Sequence, residues 1–126
     1  MIRILLADDD DAMRQYLARA LTRSGYEVEE ADRGTTALEM IRSGRHFDLL
    51  LTDIVMPEMD GIELAQKASL TDPGLRVMFI TGFSAVTLKA GQAMPNAKVL
   101  SKPFHLRDIV LEVDRMFETG SMSGLS

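Results

Sequence analysis

The sequence predicts an α/β domain with one doubly wound, five-stranded parallel sheet. Short apolar segments alternate five times with segments of helical periodicity along the 126 residues, which is the pattern of repeated strand–helix units. The segment DLLLT at 48–52 is continuously apolar at its centre, as expected for a strand covered on both faces. The length suits one domain with one core.

The strands are predicted where short apolar runs lack a helical period. They cover residues 2–7, 26–31, 47–53, 76–81 and 98–101. The second strand, YEVEEA, alternates apolar and acidic residues, and this alternation suits a position near the edge of a sheet. Five strands that alternate with five helices favour a flavodoxin-like sheet in the order 2-1-3-4-5.

The helices are predicted between the strands, where apolar residues recur every three or four positions. Glycines such as Gly25 and Gly44 are expected to end them. The expected helices run from Asp10 to Gly25, over 34–44, from Gly61 to Asp72, over 85–93, and from Leu106 to Phe117. Residues 1–118 then form one domain, and the small polar residues 119–126 form a flexible tail with no output domain.

Carboxylates gather where two neighbouring strands of this sheet end. Strand one ends at Asp8-Asp9 and strand three at Asp53, and adjacent strands lie about 4.8 Å apart. Carboxylates this close repel one another unless a hard divalent cation such as Mg²⁺ binds between them. The sequence therefore predicts Mg²⁺ as a cofactor, although Asp8-Asp9 alone are equally compatible with capping a helix.

The rest of the acidic run DDDD has a different expected role. Asp10 and Asp11 stand at the start of the first predicted helix. Negative charge is favourable there, because it faces the positive end of the helix dipole and can cap free N–H groups.

Polar residues also follow strands four and five. Thr81 ends strand four, and Ser101-Lys102-Pro103 follows strand five. By themselves, Thr81 could be an ordinary threonine at a strand end and Lys102 an ordinary surface lysine. Together with a nucleophilic carboxylate and a metal cage at the same sheet edge, they indicate phosphoryl transfer, in which the metal and Lys102 offset charge on the transferring oxygens.

These motifs, in this order and spacing, resemble the response regulator receiver domain of two-component signalling. The resemblance spans Ile2 to about Glu118. It includes Asp8-Asp9, TDIVMPEMDG at 52–61, Thr81-Gly82 and SKPF at 101–104. It implies that Asp53 accepts phosphate from the phosphohistidine of a histidine kinase or histidine phosphotransfer protein.

The resemblance also implies roles for the surrounding residues. The Mg²⁺ ligands would be Asp8, acting through a water, Asp9, Asp53 and the backbone carbonyl of Val55. Lys102 would pair with the phosphoryl group, and Thr81 would move to hydrogen-bond a phosphoryl oxygen. Val99 stands where many receivers carry an aromatic residue that rotates inward, so the usual aromatic switch is expected to be absent.

Within the family, the segments LLTDIVMPEMDGIELA, MFITGF and AKVLSKPFHLRD are most similar to CpdR-type single-domain receivers. These receivers link a phosphorelay to the ClpXP protease, so the resemblance implies ClpXP machinery as an output partner. The chain is expected to be a monomer or weak homodimer. The expected partner-binding face combines helix four, strand five and helix five, through Phe83, Lys89, Lys98, Phe104 and Arg107.

Composition excludes several other classes of protein. The net charge of −5 and the pI of about 5.0 argue against nucleic acid or an anionic membrane as a direct partner. The chain has no cysteine, which excludes disulfides and thiolate metal sites. The start MIRILLADDD is not a signal peptide, and no segment approaches the roughly 20 apolar residues of a membrane span. We therefore expect a cytoplasmic protein.

Three functions remain open from the sequence. The first is a switch in which phosphorylation changes a protein-binding surface, and the second is a phosphorelay shuttle or phosphate sink without its own output. The third is a phosphatase with an aspartate nucleophile, which needs a second aspartate two residues later, where this chain has Val55. A phosphoacceptor domain that assists its own phosphotransfer and dephosphorylation, rather than an enzyme, is the favoured interpretation. Met56 and Met59 are expected to face a partner, since methionine suits adaptable surfaces.

Overall fold

The strands of the computed structural model confirm the predicted sheet. The structure describes residues 1–83, 86–101 and 104–125, with side chains up to residue 118. Within these ranges five parallel strands pair in the order β2-β1-β3-β4-β5. The strands are β1 Arg3–Ala7, β2 Glu27–Ala31, β3 Leu49–Asp53, β4 Arg76–Thr81 and β5 Lys98–Ser101.

In the described ranges, five helices connect and follow these strands. They are α1 Asp11–Arg23, α2 Gly34–Arg42, α3 Gly61–Thr71, α4 Thr87–Ala93 and α5 Leu106–Leu125. The α5 backbone is helical beyond Thr119, where the sequence predicts a flexible tail; the segment lacks proline, and glycine weakens a helix without stopping it. The division into a domain and a tail remains a prediction. Among the described helices, none combines the length and apolar character needed to cross a membrane.

The sheet is buried on both faces, as a parallel sheet requires. Ile4 and Leu6 of β1 point into the core formed with α1 and α5, whereas Leu5 and Ala7 point into the core formed with α2, α3 and α4. On α1 the buried residues are Leu17, Ala18 and Leu21. Met13 and Ala20, which recur with the same helical period, are only half-buried.

Aspartate caps fix where two helices begin, and one of them shapes the loop after β1. The carboxylate of Asp10 accepts the Met13 backbone N–H at 3.1 Å and caps α1. Asp11 is the first residue of α1 and forms an ion pair with Arg14 at 2.7 Å. Asp60 caps α3 by accepting the Glu63 N–H at 2.8 Å. The acidic run therefore divides as predicted, which leaves Asp8 and Asp9 in the loop at the carboxyl edge of the sheet.

Candidate metal centre

Three carboxylates converge at the carboxyl ends of β1 and β3. Asp8, Asp9 and Asp53 each offer one oxygen, and these oxygens all lie within 4.8 Å of one another. The convergence follows from strand register, because Ala7 pairs with Thr52 and the chain leaves both strands at the same level. Asp8 is buried, Asp53 is half-buried and Asp9 is exposed. A set of carboxylate oxygens that is open on one side suits Mg²⁺, which keeps several of its waters.

Burial and mutual repulsion perturb two of these carboxylates. Burial, followed by the charge of Asp8, raises the pKa of Asp53 to about 7, although backbone N–H groups of Ile54 and Val55 partly offset the rise. Burial also raises the pKa of Asp8, with a smaller contribution from Asp9. A cation between the oxygens would reverse this trend and keep the carboxylates ionised.

Thr81 opens onto the same cavity as the acidic residues. A cavity of about 220 Å³ brings together Asp8, Asp53 and Thr81, since Thr81 ends the strand beside Asp53. The Thr81 hydroxyl accepts the Phe83 backbone N–H at 3.0 Å. This hydroxyl is therefore tied to the β4–α4 loop, so that a change in its partner would alter the loop.

The loop behind Asp53 packs too tightly to admit a side chain at Gly61. A Cβ built on Gly61 would lie 2.1 Å from the Asp53 carbonyl oxygen, while the Gly61 N–H donates to the Ile54 carbonyl at 2.8 Å. The start of α3 is thus pressed against the backbone of Asp53. Val55 lies in the same loop with its side chain 43% exposed, and its role as a carbonyl ligand remains a prediction.

Several predicted residues have other surroundings than expected, or lie outside the described ranges. Lys102 lies outside the described residues, so its role remains one implied by the resemblance. Met56 and Met59 were wrongly expected at a partner surface: they are 7% and 8% exposed and belong to the core under α2 and α3. Lys98 lies 3.7 Å from the Glu112 carboxylate in an ion pair.

Other residues of the cavity were not predicted as part of this site. Asp10, expected only as a cap, and Met13 line the cavity together with Phe104. Proximity in sequence to Asp8 could have indicated the first two. Phe104, expected at the partner-binding face, also packs against the core of α1 and α5.

A larger groove lies at the opposite edge of the sheet and does not share this chemistry. Its volume is about 620 Å³, and none of the described residues that line it is acidic. Arg76, at the start of β4, supplies its positive charge. The carboxylate cluster therefore identifies the smaller cavity as the candidate functional site.

Comparison with known proteins places this arrangement in a family. A family model described as the response regulator receiver domain matches residues 4–114. The chain belongs to this family. It is 57% identical to the response regulator receiver protein CpdR of Brucella abortus (strain 2308) over 117 residues, which cover 92% of this chain and 97% of that protein. The receiver resemblance and its CpdR-type character are thus confirmed.

Solved receiver structures share the fold. A CheY-like receiver domain protein from Methanospirillum hungatei JF-1 is 30% identical with a TM-score of 0.86, and the match covers 98% of each chain. The response regulator protein TrrA from Thermotoga maritima, solved in complex with Mg(2+)-BeF, is 27% identical with a TM-score of 0.83. That match covers 93% of this chain and 100% of TrrA.

Proposed function

We propose that this receiver domain is a switch controlled by phosphorylation of Asp53. A carboxylate oxygen of Asp53 attacks the phosphorus of a phosphohistidine on a histidine kinase or histidine phosphotransfer protein. The phosphorus–nitrogen bond breaks, and an acyl phosphate forms on Asp53. The convergence of Asp8, Asp9 and Asp53 beside Thr81 in one cavity carries this proposal.

The acidic cluster has the composition needed to hold Mg²⁺ during this reaction. Asp9 and Asp53 would bind the ion directly, Asp8 through a water, and Val55 through its backbone carbonyl. When bound, Mg²⁺ supplies positive charge that stabilises the transferring oxygens. Asp53 must be ionised to attack, and because its pKa is raised to about 7 without metal, that charge compensation would increase its ionised fraction at neutral pH.

The signal is proposed to leave through the β4–α4 loop. The Thr81 hydroxyl donates to the Phe83 backbone carbonyl at 3.4 Å, so a phosphoryl oxygen on Asp53 would compete with that carbonyl for the hydroxyl proton. Phe83 is 60% exposed and Leu88 of α4 is 70% exposed, which places apolar side chains where a partner could contact them. Because position 99 is valine, the loop and α4 would carry the change instead of an aromatic residue.

The proposed output is of the CpdR type. The 57% identity to CpdR across nearly all of that protein supports a role in which the α4–β5–α5 face binds ClpXP machinery in the cytoplasm. Phe83, Lys89, Phe104 and Arg107 are the proposed contacts, with Lys98 available only if its ion pair with Glu112 opens. The proposed assembly state is a monomer or weak homodimer.

A shuttle without its own output is the main alternative, since it would use the same site. The phosphatase is not favoured, because the exposed residue two positions after Asp53 is Val55, which cannot act as a general acid.

Affinity capture separates the switch from the shuttle. The wild type, with and without a phosphodonor, and the Asp53→Ala variant would be used as bait in native cytoplasmic extract. The switch predicts partners whose recovery depends on phosphorylation and that are not phosphorelay proteins. Recovery of kinases and phosphotransfer proteins alone would favour the shuttle. Partners outside the phosphorelay that are recovered equally in every sample would contradict both functions.

A further inference from the structure

The acidic loop of the metal centre is held by a partly buried arginine that belongs to no receiver motif described above. The Arg14 side chain is only 11% exposed. Its Nη1 donates to the backbone carbonyl of Asp8 at 3.0 Å and to the Asp11 carboxylate at 2.7 Å, while its Nε donates to Glu30 at 3.0 Å. A guanidinium can satisfy several acceptors from one fixed plane, which a lysine cannot do.

These contacts connect three elements of the structure. Arg14 and Asp11 lie in the first turn of α1, Asp8 lies in the loop after β1, and Glu30 lies on β2. The Asp8 N–H donates in turn to the Ala31 carbonyl of β2 at 3.1 Å. Both backbone polar groups of Asp8 are therefore hydrogen-bonded. Its N–H bonds β2 directly, and its carbonyl bonds Arg14, which in turn bonds Glu30 of β2.

We propose that Arg14 is a positioning residue that sets the Mg²⁺ affinity of the site by fixing the Asp8-Asp9 loop, without touching the ion. This inference rests on the proposed Mg²⁺ site. A residue that does not touch the ion can still strengthen metal binding if it holds the backbone that carries the ligands. The ligands are then already in place, and less conformational entropy is lost when the ion binds. Without the Arg14 side chain, the Asp8 carbonyl would lose the hydrogen bond from Arg14. Repulsion among the carboxylates could then move the Asp8-Asp9 loop away from Asp53.

The sign of the effect distinguishes positioning from simple electrostatics. Arg14 is a cation near a cation site, so its field alone weakens Mg²⁺ binding, and removal of the charge should then tighten it. Positioning predicts the opposite, namely weaker binding after the same substitution. A purely structural role predicts a lower melting temperature with an unchanged dissociation constant.

Calorimetric titration of the folded protein with MgCl₂ tests the inference. We expect Arg14→Met, which keeps the apolar stem, to weaken Mg²⁺ binding about tenfold, the low end for loss of an outer-shell partner. Arg14→Lys keeps the charge but not the planar guanidinium, so the Mg²⁺ affinity of this variant should lie between those of the wild type and Arg14→Met. Arg19→Met is the matched control, because Arg19 is an exposed arginine of the same helix and should leave the affinity unchanged.

The alternatives give different results in the same titration. Equal or tighter binding by Arg14→Met would overturn the inference while leaving the Mg²⁺ site intact. If that variant does not fold in the presence of EDTA, Arg14→Lys decides, and wild-type affinity in it would overturn the inference. Absence of Mg²⁺ binding by the wild type would overturn the proposed site itself, and the inference with it.

Discussion

Replacing Asp53 by asparagine should stabilise the metal-free protein at neutral and alkaline pH. Asparagine has nearly the shape of aspartate and no charge, so the substitution removes the repulsion from Asp8 and the cost of burying an ionised carboxylate. The pKa of Asp53 is raised from 3.8 to about 7 in the folded protein. An unfolded chain therefore binds fewer protons than the folded one between these two values, and stability falls as the pH rises through that window.

The size of this effect follows from the pKa difference. The rise is roughly three pKa units, and one unit corresponds to about 1.36 kcal/mol. The Asp53 carboxylate thus costs the metal-free wild type about 4 kcal/mol of unfolding free energy at pH 8 and close to none below pH 4. The buried amide keeps some desolvation cost, so Asp53→Asn should recover about 2 to 4 kcal/mol at pH 8.

Urea unfolding in EDTA, followed by circular dichroism between pH 4 and 8, measures this gain. Asp48→Asn is an informative control: burial raises the pKa of Asp48, but the Arg3 N–H and His46 outweigh it and lower the pKa overall. Asp48→Asn should therefore lose stability above pH 4, the opposite sign. A difference in unfolding free energy between wild type and Asp53→Asn that does not change with pH would refute the proposed cost of the Asp53 charge. Added Mg²⁺ should reduce this difference, because it should stabilise the wild type and not the variant.

Three further predictions concern the metal, the lifetime of the phosphoryl group and the output face. Mg²⁺ at ten to a hundred times its Kd should stabilise the fold by about 1.4 to 2.7 kcal/mol, and Asp9→Ala should remove most of the resulting shift in melting temperature; an unmoved wild type would count against the site. Val55→Asn or Phe83→Glu should speed the loss of phosphate from Asp53, measured by mass spectrometry over time, because these apolar side chains orient attacking water poorly; unchanged decay in both variants would show that they do not limit hydrolysis. Beryllofluoride with Mg²⁺ should change amide hydrogen exchange in α4 and β5, and changes confined to α1 and α2 would contradict the proposed output face.

The sheet and the acidic site could be predicted because both depend on short-range sequence features. The continuous apolar centre of β3 and the alternation in β2 report burial directly, and parallel strands place Asp8 and Asp53 at one edge once the strand order is known. The N-terminal capping of α1 and α3 was equally local. The strands and the helix caps are each set by a few neighbouring residues, and the acidic site follows from them once the fold class supplies the strand order.

Features that depend on tertiary packing were not predictable in the same way. Met59 is buried because α2 approaches it so closely that a Cβ on Gly34 would lie 2.9 Å from its carbonyl oxygen, and no periodicity reveals that contact. The start of α4 at Thr87 was placed two residues early, since Val86 supplies no side-chain cap. The contact of Arg14 with Glu30 joins α1 to β2 across 16 positions, so no local pattern in the sequence indicates it.

The mass of the intact protein after incubation with acetyl phosphate and Mg²⁺ tests most directly whether Asp53 accepts the phosphoryl group. We expect one added phosphoryl group on the wild type, none on Asp53→Asn and none when EDTA removes the metal. Asp60→Asn is the matched control, because asparagine can still cap α3 and phosphorylation should be retained. Phosphorylation of Asp53→Asn to the level of the wild type would contradict the assignment of Asp53 as the phosphoryl acceptor.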